Sequence, residues 1–168
     1  MNTEEIIARA KKIKLVLTDN DGVLTDTGVY YSDAGEIMKR FSIRDGMGVE
    51  RLRAIGVETG IITGELSGSV KTRADKLLIK HLYLGIKDKA KKLDEILAET
   101  GLKRDEIAYI GDDYNDLEAI NAITPVGLTA APQDAMPKII AAVTYHCKIN
   151  GGQGAFRDFA EWLIAHRR

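Results

Sequence analysis

Three short apolar runs of this chain each end in residues equipped for chemistry. Ile13–Thr18 runs into Asp19-Asn20-Asp21-Gly22, Val57–Thr63 into Gly64, and Ile107–Ile110 into Gly111-Asp112-Asp113. A buried strand that stops at a polar residue delivers that residue at its carboxyl tip. In an open α/β sheet, ligands bind outside those tips. Asp19, Asp21, Thr63 and Asp112 are therefore expected on one rim, where their carboxylates repel one another unless a hard divalent cation sits among them. Mg²⁺ suits such a place, since it takes one or two carboxylates plus water and phosphate oxygens. Lys89 opens a helix after a short strand and can aim an ammonium at the same rim. Carboxylates, a cation, a lysine and a threonine hydroxyl together suit phosphoryl transfer.

Each piece alone has a plainer reading. A lone Asp-x-Asp is commonly a turn or a helix cap. Thr63-Gly64 can be a cap and turn, and Lys89 can be one member of the solvated run Lys87–Lys92. A calcium-loop reading fails on spacing, because the sixth position from Asp19 is Leu24, where glycine is needed. No phosphate-cradling GxxxxGK[ST] run is present. The ordered recurrence at successive strand ends favours the joint reading.

The elements that must position these residues follow from pattern. A short helix is expected over Thr3–Ala10 with Thr3 as N-cap, then the strand Ile13–Thr18. Apolar runs flanking Asp33-Ala34-Gly35 predict a β-hairpin within Val29–Ile43. Helices are expected over Asp45–Ile55, Ser67–Leu78 and Asp88–Thr100, the first and last stopped by Gly56 and Gly101. Strands are expected at Val57–Thr63, Leu82–Leu84 and Ile107–Ile110. A helix from Asn115 to Asn121, a strand near Pro125–Leu128, a helix near Gln133–Ala142, a strand near Val143–His146 and a helix from Ala155 follow. Alternating strands and helices predict an α/β fold, a parallel sheet flanked by helices with right-handed crossovers.

Composition bounds the reading. A chain of 168 residues fits one domain. Its 24 basic and 25 acidic residues leave a net charge of −1, which gives no overall electrostatic case for nucleic acid or a membrane surface. One cysteine, Cys147, excludes an internal disulfide and fits a reducing compartment; as a default it is a small buried hydrophobe. No apolar run approaches a membrane span, and the charged N-terminus lacks a secretory core. A cytoplasmic location is the expectation.

DNDGVLTD (Asp19–Asp26), IITG (Ile61–Gly64), Lys89 and GDDYND (Gly111–Asp116) resemble, in this order, the four motifs of the haloacid dehalogenase superfamily. FSIRDGMGV, Thr63-Gly64 and GGQGAFRDF are similar to its small sugar-acid phosphatases, which act on octulosonate 8-phosphate or nine-carbon ulosonate 9-phosphates. The resemblance spans residues 13–165. It implies a Rossmann-like parallel sheet with a hairpin insertion over about 27–43 and a C-terminal tail over about 147–168. It also implies that Asp19 is the nucleophile, that Asp21 is the general acid and base, and that Thr63 and Lys89 bind the transferring oxygens. Mg²⁺ would be held by Asp19, the Asp21 carbonyl and Asp112. Asp113 and Asp116 would orient Lys89 or water, and Asn115 would touch substrate.

Residues 22–62 and 64–88 are already used by the hairpin, helices and strands, so neither can hold a cap domain of about 50 residues. The hairpin carries Tyr30, Tyr31, Ile37, Met38 and Phe41, more apolar surface than a solvated hairpin needs. Either one face packs on its own domain or a neighbouring subunit covers it. The resemblance implies a homotetramer in which Gly151–Gly154 reaches a neighbour's site. Ser42, Ile43, Arg44, Asp45 and Gly46 look like the family's substrate loop, with Gly64, Glu65, Arg73 and Lys76 alongside. Glu65 stands where the octulosonate enzymes have arginine, and with Arg73 and Lys76 it resembles the nine-carbon branch. A 2-keto-3-deoxynononate or acylneuraminate 9-phosphate is therefore expected, with octulosonate 8-phosphate as the alternative. Receiver domains of signalling proteins also gather Asp, Thr and Lys around Mg²⁺, but their acidic pair precedes the phosphoacceptor strand. Here Asp112-Asp113 lies far downstream of Asp19. A silent interaction domain finds no support, since all four motif groups are intact.

Overall fold

The computed structural model describes residues 1–167. Six parallel strands form the sheet: β1 (Leu15–Thr18), β4 (Glu58–Ile62), β5 (His81–Tyr83), β6 (Ile107–Ile110), β7 (Leu128–Ala131) and β8 (Tyr145–His146). β2 (Thr25–Ser32) and β3 (Gly35–Phe41) make a separate antiparallel hairpin. The helices are α1 (Thr3–Lys12), α2 (Ile43–Ala54), α3 (Gly68–Lys76), α4 (Lys89–Thr100), α5 (Leu117–Ile123), α6 (Pro137–Ile140) and α7 (Ala155–Arg167). The sheet order is β5-β4-β1-β6-β7-β8. The chain winds outward one way from β1 and then returns to wind the other way from β6. The crevice lies where that direction reverses. Thr18 pairs with both Ile61 and Ile110, so the tips of β1, β4 and β6 end level.

Burial on both faces explains the apolar strands. Val16 joins a core with Leu52, Val70, Phe156 and Phe159 under α2, α3 and α7. Leu15 and Leu17 point the other way, to Leu93, Ile96, Ile120 and Ile139 under α4, α5 and α6. Strand alternation thus divides one buried run between two helical layers. No described helix is long and apolar enough to cross a membrane.

Several boundaries differ from expectation for identifiable reasons. Asn2, not Thr3, caps α1, its side chain accepting from the Glu5 N–H at 2.9 Å. The strand expected near Pro125–Leu128 begins only at Leu128, because Val126 and Gly127 both donate back to the Ile123 carbonyl and close a turn. The helix expected over Gln133–Ala142 shrinks to Pro137–Ile140. Proline cannot donate to a preceding turn and holds Met136 extended (ψ 139°), so the helix starts at Pro137. A 3₁₀ turn over Tyr114–Asp116 precedes α5, which delays that helix to Leu117. α2 starts at Ile43 with Ser42 as its cap, so Ser42–Gly46 is the first turn of a helix rather than a loop.

The C-terminal segment is anchored on the core of its own chain. Gly151–Gly154 packs on its own chain: the Gly152 N–H donates to the Val23 carbonyl at 2.9 Å, and the Gly151 N–H to Asp134 at 2.9 Å. A Cβ at Gly151 would lie 1.9 Å from the Gly22 carbonyl oxygen, so only glycine permits this approach. α7 then packs against α1 and α2 of the same chain.

Candidate active site

Asp19 leaves the tip of β1 and is 4% exposed. Its Oδ1 accepts the Asn20 N–H at 2.7 Å and stands 2.9 Å from Lys89 Nζ. Among the described residues nothing hydrogen-bonds its Oδ2. Asp88 caps α4 by accepting the Lys91 N–H, which sets Lys89 as the first helical residue and turns it inward. Lys89 is 2% exposed, so it is no part of a solvated run. Its ammonium also donates to Asp116 Oδ1 at 2.6 Å. Two of its three N–H bonds are thereby used and one remains.

Asp116 is the anchor of the cluster. It is fully buried, and its Oδ1 also accepts the Tyr109 hydroxyl at 2.7 Å. Its Oδ2 accepts the Asp112 and Asp113 N–H groups at 3.0 and 3.3 Å. The loop after β6 is thus held around one carboxylate, which places Asp112 opposite Asp19. Asp113 in turn caps the Tyr114–Asp116 turn through the Tyr114 N–H at 2.6 Å.

Asp112 is less settled. Its Oδ1 is buried without a hydrogen-bond partner. A Cβ at Gly22 (φ 90°) would lie 1.9 Å from its Oδ2, so glycine is what lets the loop after β1 approach it. Burial pushes the Asp112 pKa up to about 8, with the Asp19, Asp116 and Asp113 carboxylates adding to the rise. Asp19 is likewise pushed up, to about 7, chiefly by burial and then by Asp116, against the pull of Lys89. One oxygen from each of Asp19, Asp112 and Asp116 falls within 4.8 Å of the others. An orphaned buried carboxylate oxygen in an oxygen-only donor set fits a hard divalent cation, which would reverse the preference for protonated acids.

These groups open onto a cleft of about 410 Å³ lined by Asp19, Asp21, Thr63, Gly64, Glu65, Asp112, Asp113 and Asn115, with Thr27 and Tyr114 at its edge. Thr63 is buried; its Oγ1 accepts the Glu65 N–H at 3.2 Å, leaving the hydroxyl proton to donate. Ser67 caps α3 through the Val70 N–H, and Glu65, two residues before it, lines the cleft. An aspartate with a free oxygen, a fixed ammonium, a hydroxyl donor and a second carboxyl form a set able to transfer a phosphoryl group through the aspartate.

The other expected substrate residues lie elsewhere. Arg73 and Lys76 line a separate groove of about 700 Å³ between β3 and α3. Arg73 donates to the Ser42 carbonyl at 3.0 Å, lies 5.7 Å over the Phe41 ring and packs on Gly46. Ile43 is 81% exposed, and Arg44 is exposed at the helix start. Asp45 is buried, and its Oδ1 accepts the Arg157 N–H at 3.1 Å while its Oδ2 has no hydrogen-bond partner, so its side chain ties α2 to the start of α7. Burial raises its pKa to about 6.

Sequence reasoning missed Lys39 and Tyr109. Tyr109 lies in an apolar strand whose pattern hides its hydroxyl. Lys39 had a signal: it shares a strand face with Phe41, two residues on, and a lysine there must be buried or paired.

Residues 71–157 match the family described as haloacid dehalogenase-like hydrolase. The 3-deoxy-D-manno-octulosonate 8-phosphate phosphatase of Yersinia pestis is 36% identical over 161 residues, covering 96% of this chain and 84% of the relative. The Moraxella catarrhalis enzyme of the same name, solved with magnesium, phosphate and the sugar acid, superposes with a TM-score of 0.91. It is 34% identical, with 99% of this chain and 94% of that one covered. The cobalt-bound deoxy-D-mannose-octulosonate 8-phosphate phosphatase of Haemophilus influenzae gives a TM-score of 0.89 at 33% identity, covering 95% and 91%. With its motifs gathered on the tips of β1, β4 and β6, the chain belongs to the haloacid dehalogenase-like hydrolases and is a phosphoric monoester hydrolase.

Proposed function

We propose that this chain is a Mg²⁺-dependent phosphatase of a ulosonic acid phosphate, with 3-deoxy-D-manno-octulosonate 8-phosphate as its substrate. The observation that carries the chemistry is the convergence of Asp19, Lys89 and an unpartnered Asp112 at one cleft. The eight-carbon substrate is supported by the names of relatives aligned along nearly the whole chain.

Asp19 Oδ2, free of hydrogen bonds among the described residues, attacks phosphorus; the P–O bond to the sugar breaks as an aspartyl-phosphate forms. Asp21 gives a proton to the departing alkoxide, a poor leaving group without one. The Asp21 carboxylate then takes a proton from water as the water oxygen bonds to phosphorus, and the bond to Asp19 breaks to release phosphate. Lys89, through its remaining N–H, and the Thr63 hydroxyl meet the equatorial oxygens. Asp19, the Asp21 carbonyl and Asp112 would hold Mg²⁺, which when bound offsets repulsion between the carboxylates and the phosphate.

A nine-carbon ester is the second reading, and Glu65 favours it. An acidic residue at the cleft edge is unlike the arginine of the octulosonate pattern and accepts hydrogen bonds from an extra hydroxyl. Comparing kcat/KM on the two esters tests the order: a preference for the eight-carbon ester is expected, and a preference for the nine-carbon one overturns it.

The assembly is proposed to be a homotetramer. Tyr30, Tyr31, Ile37 and Met38 are each more than half exposed on the hairpin, so its own domain does not cover this apolar surface. Sedimentation at a monomeric mass with full activity would remove this reading.

A further inference from the structure

The hairpin sends one charged side chain back into the active site. Lys39 lies on β3, and its side chain is 1% exposed. Its Nζ stands 2.6 Å from Asp21 Oδ1 and 3.6 Å from Glu36 Oε2. Glu36 also accepts the hydroxyl of Ser67, the cap of α3. A buried ammonium is costly unless it is paired, so this is a built contact and not a by-product of a surface strand. Asp21 and Glu36 supply the counter-charge that a buried ammonium needs.

The consequence falls on Asp21. Its Oδ1 accepts three hydrogen bonds: Lys39 Nζ at 2.6 Å, the Thr25 hydroxyl at 3.2 Å and the Asn20 amide at 3.2 Å. Among the described residues none reaches Oδ2. The two oxygens are therefore unequal. A proton on Oδ1 would point at three donors, so a carboxyl that hands a proton to a leaving group in this cleft carries it on Oδ2. The charged donor is the strongest of the three and the one that comes from outside the loop after β1.

We propose that Lys39 is a positioning residue for Asp21, saturating Oδ1 so that Oδ2 alone exchanges the proton, and that the hairpin thereby belongs to the catalytic apparatus. This rests on the role given to Asp21 under the proposed function. It predicts a dependence on the leaving group, which a purely structural lysine would not produce.

The test compares the parent, Lys39→Met, Lys39→Arg and Thr25→Val with Mg²⁺ on two esters. One is octulosonate 8-phosphate, whose alkoxide needs a proton. The other is p-nitrophenyl phosphate, whose leaving group departs without one. For Lys39→Met, kcat on the sugar ester is expected to fall about 10- to 100-fold, with KM changed by less than about threefold. The first-turnover burst of nitrophenolate should keep the parent rate. Lys39→Arg should recover part of the loss, and Thr25→Val should show the same ester-selective pattern more weakly. An equal loss on both first turnovers, or a parent-like kcat on the sugar ester, overturns the proposal. If circular dichroism shows Lys39→Met unfolded, Thr25→Val decides on the same criteria. A parent enzyme that releases phosphate from neither ester would instead defeat the underlying functional reading.

Discussion

The cleft at the tips of β1 and β6 and the groove between β3 and α3 are both lined by charge, and they hold it in opposite ways. In the cleft Asp19, Lys89 and Asp116 are 4%, 2% and 0% exposed, and Lys89 is shared between the two carboxylates. Removing such groups from water is costly, so they are stable only where the fold has already supplied each partner. In the groove Arg73 and Lys76 stand beside Ile37 and Leu66, which are 53% and 84% exposed. The first region is organised before any ligand arrives, as electrostatic catalysis requires. The second offers charge and apolar surface that the chain alone does not enclose. The two charged regions are thus built to different standards, and Lys39 is the side chain that touches both.

The largest effect that could break this contrast is at the nucleophile. Asp19→Asn should abolish turnover of every ester while circular dichroism stays that of the parent; retained turnover would take the reaction away from the cleft. Next, chelation should remove activity and Mg²⁺ restore it. Mg²⁺ should also raise Tm at pH 7–8, because a ligand bound only by the folded chain stabilises it by mass action. No shift in Tm with Mg²⁺ would separate the Asp19–Asp112 pair from metal binding.

A smaller, more selective effect is expected in the groove. Lys76→Ala should raise KM for the sugar acid about tenfold, the scale of one charge-assisted hydrogen bond, and leave p-nitrophenyl phosphate untouched. Equal effects on both esters would erase the distinction between the regions. The smallest effect concerns Asp45, which belongs to neither. Its pKa is raised to about 6 from 3.8, mainly by burial, so the folded chain binds the extra proton between those values. That contribution to stability is present below about pH 4 and is lost as pH rises through 6. Asp45→Asn should therefore gain a few degrees in Tm relative to the parent between pH 4 and pH 7. A pH-independent difference between the two would show that Asp45 does not titrate in this range.

Much of the fold was legible. Ile107–Ile110 is a strand with the expected limits, and Gly101 ends α4 in the left-handed conformation at φ 70°. Both are set by neighbours in the chain: an apolar run bounded by turn residues, and a residue without Cβ after a helix. Pro125–Leu128 has the composition of a short strand, but the Val126 and Gly127 N–H groups close a turn onto the Ile123 carbonyl, and only Leu128 joins the sheet. Asp45 and Arg73, which resemblance places on the substrate side, are each engaged partly by the chain's own backbone, at α7 and at Ser42.

What the sequence by itself determined was the identity and order of the reacting groups. Asp19, Thr63 and Asp112 each stand within two residues of the end of an apolar strand, and a parallel sheet brings such tips to one edge whatever the details of packing. Tertiary structure alone decided the state of those groups: which carboxylate is saturated, which oxygen stays free and which lysine is buried. Asp116 takes donors from Lys89, Tyr109 and two backbone amides, and Asp21 takes one from Lys39 on the hairpin. The two lysines lie 27 and 18 residues from the carboxylates they pair with, and such contacts leave no periodic trace, because a side chain's desolvation depends on what packs against it and not on its sequence neighbours.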